Sequence, residues 1–128
     1  MTLQERIKLQ QALQTLTEHC HKQSKDAGWW TDLDTGKPLV RNKGEMLMLI
    51  VTEVSEAMEG VRKNLQDDHL PQHKMETVEL ADTLVRIFDY LGGHGLDVTT
   101  AFTDKLEYNS NREDHSVAHR KSINGKKC

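Results

Sequence analysis

The sequence predicts an all-α protein with four main helices in a bundle-like domain. Apolar residues recur at intervals of three and four in four separate segments, which is the periodicity of amphipathic helices. Only two prolines interrupt a composition rich in Leu, Glu, Lys and Gln, and these residues favour helix. A chain of 128 residues is long enough for one domain with a core and too short for two ordinary domains.

The first helix is predicted from Thr2 to about Lys25. Thr2 is a suitable N-cap, and Glu5 three residues later completes a capping box. Residues 26–42 are predicted to form an irregular loop because glycine and proline recur there and Asp-Thr-Gly is typical of a turn.

The second helix is predicted from Lys43 to about Asn64 and the third from Met75 to about Leu91, with Gly92-Gly93 ending it. A fourth helix begins near Asp97 or Thr99. The apolar residues expected to face the core are Leu47, Ile50, Val54, Ala57 and Val61 on the second helix, and Leu80, Leu84, Ile87 and Leu91 on the third. Residues 113–128 are polar and basic without periodicity, so we expect one domain over residues 1–112 and a tail.

Charge and cysteine content narrow the class of protein. The net charge of −3 does not suit a partner that is a nucleic acid polymer. Cys20 and Cys128 have neither disulfide nor metal-ligand spacing, which predicts free thiols in a reducing compartment. The charged N-terminal segment does not resemble a signal peptide, and no apolar run reaches transmembrane length. We therefore expect a cytoplasmic protein without a membrane partner.

Two acidic pairs are the strongest functional signal. Glu53 and Glu56 lie on the second helix, and Glu79 and Asp82 lie on the third, each pair at an i, i+3 spacing that places both carboxylates on one helix face. Two such helices packed antiparallel can bring four carboxylates together. Ligands that are all oxygen suit a hard cation, Mg²⁺ first and Mn²⁺ second, and hence chemistry on phosphates.

Other residues fit a phosphorylated substrate that contains a base. Lys105, Asn109 and Arg112 share one face of the fourth helix, where cations and an amide can bind phosphates. Trp29 and Trp30 lie in the irregular loop and are either caps on the core or a stacking surface for a base.

With these residues in view, the chain resembles the MazG-like, all-α nucleoside triphosphate pyrophosphohydrolase superfamily. The signature of that family is E-x-x-E, a variable connection and E-x-x-D, which this chain matches from Glu53 to Asp82. The flanking segments GEMLMLIVTEVSEAMEG, VELADTLVRIFDYLGGHGLDV and KLEYNSNRED extend the similarity over residues 43–112. One departure is Thr52, where many relatives carry another glutamate.

The resemblance implies hydrolysis of a nucleoside triphosphate between its α and β phosphates, giving a monophosphate and pyrophosphate. It implies metal ligation by all four motif carboxylates, with Glu53 or Glu56 as the base that activates water. The residues implied to bind phosphates are Arg86, Lys105, Asn109 and Arg112. Those implied to bind the nucleoside are His21, Trp29, Trp30 and Asn42. It also implies a homodimer or homotetramer with active sites near subunit interfaces.

Two alternatives stay open. A pyrimidine hydrolase specific for dUTP or dCTP shares the fold and the acidic motif, and base choice depends on loop contacts that the sequence does not resolve. A non-catalytic helical oligomer that binds nucleotide is the alternative from another class.

Overall fold

The computed structural model describes all 128 residues and is all-helical, which confirms the predicted fold class. Its helices are α1 (Leu3–Asp26), α2 (Lys43–Lys63), α3 (Met75–Gly93), α4 (Val98–Asn111) and the short α5 (Val117–Lys121). A 3₁₀ turn at Glu113–His115 precedes α5, within the tail in which the sequence shows no periodicity. There are no strands, and the only β pairings are two isolated bridges, Thr31 with Pro38 and Gln66 with Lys74.

The helix ends follow the local sequence. The capping box of α1 is confirmed, because the Glu5 amide donates to Thr2 Oγ1 at 3.2 Å and the Thr2 amide donates to Glu5 Oε2 at 2.8 Å. The side chain of Asn42 caps α2 and that of Asp97 caps α4. Asn64 ends α2 with φ of 51°, in the left-handed region that asparagine tolerates.

α3 ends at the predicted glycine pair, with Gly93 as its last helical residue, and the turn that follows it contains Gly95. Gly92 also packs against α1: a Cβ on it would lie 2.7 Å from His21 Cβ. The two glycines therefore serve close packing, and the positive φ of 63° at Gly95 makes the turn.

The chain forms two compact units, residues 16–96 and residues 1–15 with 97–128. In the first unit α2 packs on α3. The buried residues here are Cys20, Met46, Ala57, Gly60, Asp67, Thr83, Phe88 and Asp89.

The predicted core stripes are wrong for most of their residues. Ala57 is buried as expected, but Val54 is 48% exposed and Leu84 is 53% exposed, and Leu47, Val61 and Leu80 are similarly open. The α2–α3 contact passes instead through small residues such as Gly60, where a Cβ would lie 3.0 Å from Met75 Cβ. Two helices in contact along a narrow line cannot also cover the wider apolar stripes on their flanks.

The other unit joins the start of α1 to α4 and the tail. Arg6 forms ion pairs with Asp104 and Glu107, and Gln10 donates to Thr103 Oγ1 at 3.2 Å. No helix in the structure is both long enough and apolar enough to cross a membrane. Both cysteines are free, as predicted, with Cys20 buried and Cys128 exposed.

Candidate functional site

Three of the four motif carboxylates converge between α2 and α3. Glu53, Glu79 and Asp82 each offer an oxygen such that the three oxygens lie within 4.8 Å of one another. Glu53 projects from the middle of α2, while Glu79 and Asp82 lie one turn apart on α3. An all-oxygen group of this size matches the ligand preference of a hard divalent cation.

The electrostatics of this cluster favour protonation or a compensating cation. Burial, a hydrogen bond shared with Glu53 and repulsion by Glu53, Asp82 and Glu56 raise the pKa of Glu79 to about 7. Burial and the Glu53 charge also raise the pKa of Asp82, although Arg86 acts in the opposite direction. Carboxylates held together despite this cost are typical of metal and catalytic sites.

The fourth motif carboxylate, Glu56, lies outside this close group. Its side chain is exposed on α2, one turn after Glu53, and it still adds to the repulsion felt by Glu79. Glu56 and Asp82 are thus the two exposed carboxylates of the motif, and Glu53 and Glu79 are half-buried.

Arg86 extends the cluster along α3. Its Nε donates to Glu53 Oε1 at 2.6 Å, and only 14% of the Glu53 side chain is exposed against 41% of the Arg86 side chain. Arg86 thus places a partly exposed cation directly beside the carboxylates.

A second polar group is centred on Asp89, a buried carboxylate further along α3. Its Oδ1 accepts from Trp30 Nε1 and pairs with His21 Nδ1, both at 2.9 Å, and its Oδ2 accepts from Ser24 Oγ at 2.9 Å. Arg41 Nη1 lies 3.8 Å from Oδ2. The Asp89 charge is compensated by these donors, which come from α1 and from the irregular loop.

A cavity of about 490 Å³ opens beside this group. Its wall includes His21, Trp30 and His94, which contact one another edge to face at 5.2 Å and 5.5 Å between ring centroids, and the Arg41 guanidinium lies 5.3 Å from the Trp30 ring centroid. Burial and the nearby cations Lys43 and Arg41 lower the pKa of His94. The Nε2 atom of His94 is buried without a hydrogen-bond partner. The cavity wall therefore combines aromatic rings and a cation.

The carboxylate cluster and the cavity share one face of α3. Asp82, Arg86 and Asp89 are spaced i, i+4 and i+7, so they lie along one line that rises about 10 Å from the first to the last. A smaller cavity between α2, the loop and α3 is lined by Arg41, Met46, Leu49, Arg86 and Asp89. Two arginines thus border the space between the cluster and the larger cavity.

The structure separates the other candidate residues. Trp30 and His21 lie together at the cavity, whereas Trp29 is 64% exposed and does not line it. The Asn42 side chain accepts from the Glu45 amide at 2.9 Å and so is engaged in capping α2.

Lys105, Asn109 and Arg112 belong to the other unit. The cations of Lys105 and Arg112 lie 4.9 Å and 5.6 Å from the Tyr108 ring centroid, and Asn109 Oδ1 is buried without a partner. Arg112 also binds both carboxylate oxygens of Asp114, at 2.9 Å and 2.6 Å, and with Lys126 it holds the pKa of Asp114 well below its usual range.

Three residues of the site were not identified from the sequence. Asp89 lies in the apolar run RIFDYL. Its position on the same helix face as Asp82 and Arg86 is the signal that could have identified it. His94 directly follows the two glycines, and Arg41 precedes the cap of α2. Neither His94 nor Arg41 has a sequence spacing that relates it to the acidic motif.

Comparisons with models of protein families, with curated proteins and with solved structures give no match to this chain.

Proposed function

We propose that the chain is a metal-dependent nucleoside triphosphate pyrophosphohydrolase of the MazG-like, all-α type, cleaving between the α and β phosphates. The observation that supports this proposal most is the convergence of Glu53, Glu79 and Asp82, which belong to both halves of the E-x-x-E and E-x-x-D motif. The raised pKa of Glu79 adds support, since a bound cation would relieve the repulsion that raises it.

The donor set fits Mg²⁺, with Mn²⁺ as the second choice, because it offers only carboxylate oxygens and leaves room for substrate oxygens and water. Glu53, Glu79 and Asp82 would hold the ion, and Glu56 would join them through water. When bound, such an ion supplies Lewis-acid polarisation of phosphate oxygens and a more acidic water.

The side chains of the protein then have distinct tasks. Glu56, which is exposed and lies outside the converging group, can accept the proton of the attacking water, whereas Glu53 is already engaged by Arg86. Arg86 would neutralise charge on the phosphates. The cavity beside Asp89 would take the nucleoside, with Trp30 and His21 as part of its wall.

We also propose that the chain is a homodimer or a homotetramer and works in the cytoplasm. Half-exposed apolar side chains on α2 and α3, including Val54 and Leu84, would be covered by a second copy. The two free thiols fit a reducing compartment.

A substrate panel tests the reaction. Purified protein is incubated with Mg²⁺ or Mn²⁺ and each common ribo- and deoxyribonucleoside triphosphate, and pyrophosphate and orthophosphate are measured separately. Pyrophosphate release from one or a few nucleotides is expected. Orthophosphate alone, or no product from any nucleotide or metal, would contradict the proposal. A strict preference for dUTP or dCTP would identify the pyrimidine-specific form.

A further inference from the structure

Asp89 is a buried carboxylate that the proposed hydrolysis does not require. Three side-chain donors lie 2.9 Å from its oxygens, His21, Ser24 and Trp30, and Arg41 lies 3.8 Å away. Three of these four partners line the cavity, namely His21, Trp30 and Arg41. Asp89 therefore connects three side chains of the cavity wall to α3.

The contact with Asp89 determines which nitrogen of His21 carries a proton. An ionised carboxylate only accepts hydrogen bonds, so Nδ1 of His21 must be the donor in the 2.9 Å contact with Oδ1. In the neutral ring the other nitrogen, Nε2, is then an acceptor. The same Oδ1 accepts from Trp30 Nε1, which fixes the indole edge relative to the imidazole. One oxygen therefore sets both the tautomer of His21 and the orientation of Trp30.

We propose that Asp89 is a positioning residue for nucleoside binding, which holds His21 as the Nδ1–H tautomer and Trp30 in a fixed orientation so that the cavity presents an acceptor beside an aromatic surface. This rests on the proposed function, which assigns the cavity to the nucleoside. The chemical group recognised is a planar heterocycle with an N–H donor on its edge.

Trp30 in the cavity wall is held by packing as well as by its hydrogen bond to Asp89. The Trp30 ring passes so close to Gly93 that no Cβ can be accommodated there. The indole is thus held by packing on one side and by Asp89 at its nitrogen, as expected of a preorganised surface.

The first test is the tautomer of His21 in the full-length protein. ¹⁵N-detected two-bond correlations of the imidazoles, recorded at pH 8, where histidines are ordinarily neutral, distinguish Nδ1–H from Nε2–H. Assignment uses the loss of one ring signal in His21→Gln. An Nδ1–H pattern is expected in the unsubstituted protein, and an Nε2–H pattern there would overturn the proposal whether or not any variant folds.

The second test compares Asp89→Ala with Asp89→Asn. In Asp89→Asn the amide oxygen can take the place of Oδ1 and accept from both His21 and Trp30, so the Nδ1–H tautomer is retained. In Asp89→Ala no acceptor remains, and His21 is expected to change to the Nε2–H form. Asp67→Asn is the matched control, because Asp67 is also a buried aspartate but bonds only to the amides of its own turn.

Binding is measured separately from turnover. Nucleoside 5′-monophosphates of the common bases are titrated, without metal, against the fluorescence of Trp30 in a Trp29→Phe background. Asp89→Ala is expected to weaken binding of the preferred monophosphate at least tenfold, while Asp89→Asn and Asp67→Asn stay within threefold of the unsubstituted protein. In turnover, Asp89→Ala is expected to raise KM and leave kcat within threefold.

The outcomes separate this proposal from the proposed function. Selective binding that depends on Asp89, without pyrophosphate release, would contradict the hydrolase and support the positioning role. No binding of any monophosphate, or equal binding by Asp89→Ala, would overturn the positioning role even if turnover is observed. An equal loss in kcat for every substrate would likewise overturn it, since a merely structural role predicts that result.

Discussion

Arg86 Nε lies 2.6 Å from Oε1 of Glu53, so a cation on α3 binds the carboxylate that α2 contributes to the acidic cluster. Arg86 is the only basic residue in hydrogen-bond contact with any of the three converging carboxylates. Its positive charge would repel a metal ion bound at the cluster, and it would attract the phosphates of a substrate. Removing Arg86 should therefore lower turnover without lowering metal affinity.

Arg86→Gln is expected to lower kcat/KM by about 30- to 150-fold, which corresponds to about 2–3 kcal/mol for one lost charge-assisted contact. Mg²⁺ affinity measured by calorimetry should be unchanged or higher, because Glu53 is freed. Arg62→Gln is the control, since Arg62 is exposed and near only Glu59. Weaker Mg²⁺ binding by Arg86→Gln would contradict the opposing roles.

Glu79 predicts a pH dependence of stability in the metal-free protein. Its pKa in the folded state is about 7 and its ordinary value is 4.5, so folding favours the protonated form between these values. The unfolding free energy should therefore fall as pH rises from about 4.5 to 7, by about 1–2 kcal/mol once solvent screening is allowed for. Thermal unfolding in EDTA, followed by circular dichroism, should show Tm falling by about 3–8 °C over this interval relative to Glu79→Gln, because His94, whose pKa is lowered, acts in the opposite direction in both proteins.

Glu79→Gln should remove most of that slope, and saturating Mg²⁺ should also reduce it. The variant should be as stable as the unsubstituted protein at pH 5 and more stable at pH 7.5. If stability depended on pH equally in both proteins, burial and repulsion within the carboxylate cluster would not raise the pKa of Glu79 as described.

Glu56 and Glu79 are expected to differ in function. Glu56→Gln should lower kcat by at least 100-fold while Mg²⁺ affinity stays within a few-fold, because Glu56 lies outside the close group of three. Glu79→Gln should weaken Mg²⁺ binding as well as abolish turnover. Glu59→Gln is the control for Glu56, since Glu59 pairs with Lys63 at 2.7 Å on the same helix. Equal Mg²⁺ affinities for Glu79→Gln and Glu56→Gln would contradict this division.

The half-exposed apolar faces predict how the chain associates. Leu84→Glu places a charge at a 53% exposed position on α3, so it should dissociate the proposed oligomer with little effect on the fold of a single chain. Light scattering after size exclusion gives the mass, and circular dichroism gives the helicity. Val117→Glu, at a 67% exposed position on α5, serves as control. A monomeric mass for the unsubstituted protein would contradict the proposed assembly.

The sequence predicts the helices well because their signals are local. The predicted capping box at Thr2 acts within a few residues, and α1 begins directly after it. Asn42, predicted only to bind the nucleoside, caps α2 by an equally local hydrogen bond. The glycine pair at the end of α3 is a local signal of the same kind, since Gly93 is the last helical residue. The close packing of Gly92 against His21 depends on the position of α1, which no local signal specifies.

The site is predicted in part, for a related reason. The i, i+3 spacing of Glu79 and Asp82 is a property of one helix, so it is visible in sequence. The approach of Glu53 depends on how α2 meets α3. The partners of Asp89, namely His21, Ser24, Trp30 and Arg41, lie 48 to 68 positions before it in the chain, and no short-range pattern specifies such contacts. The same holds for Glu53 and Arg86. The sequence identifies each residue as a candidate, but it does not show that the two form an ion pair.

Gly93 allows the Trp30 indole to lie directly against the backbone of α3, where even a methyl group would meet the ring. An alanine at this position would push the indole away from its place beside Asp89 and alter the shape of the cavity, while every carboxylate of the acidic cluster kept its position in the sequence. In the proposed hydrolase, a substitution at position 93 would therefore alter nucleoside binding while leaving the acidic cluster in place.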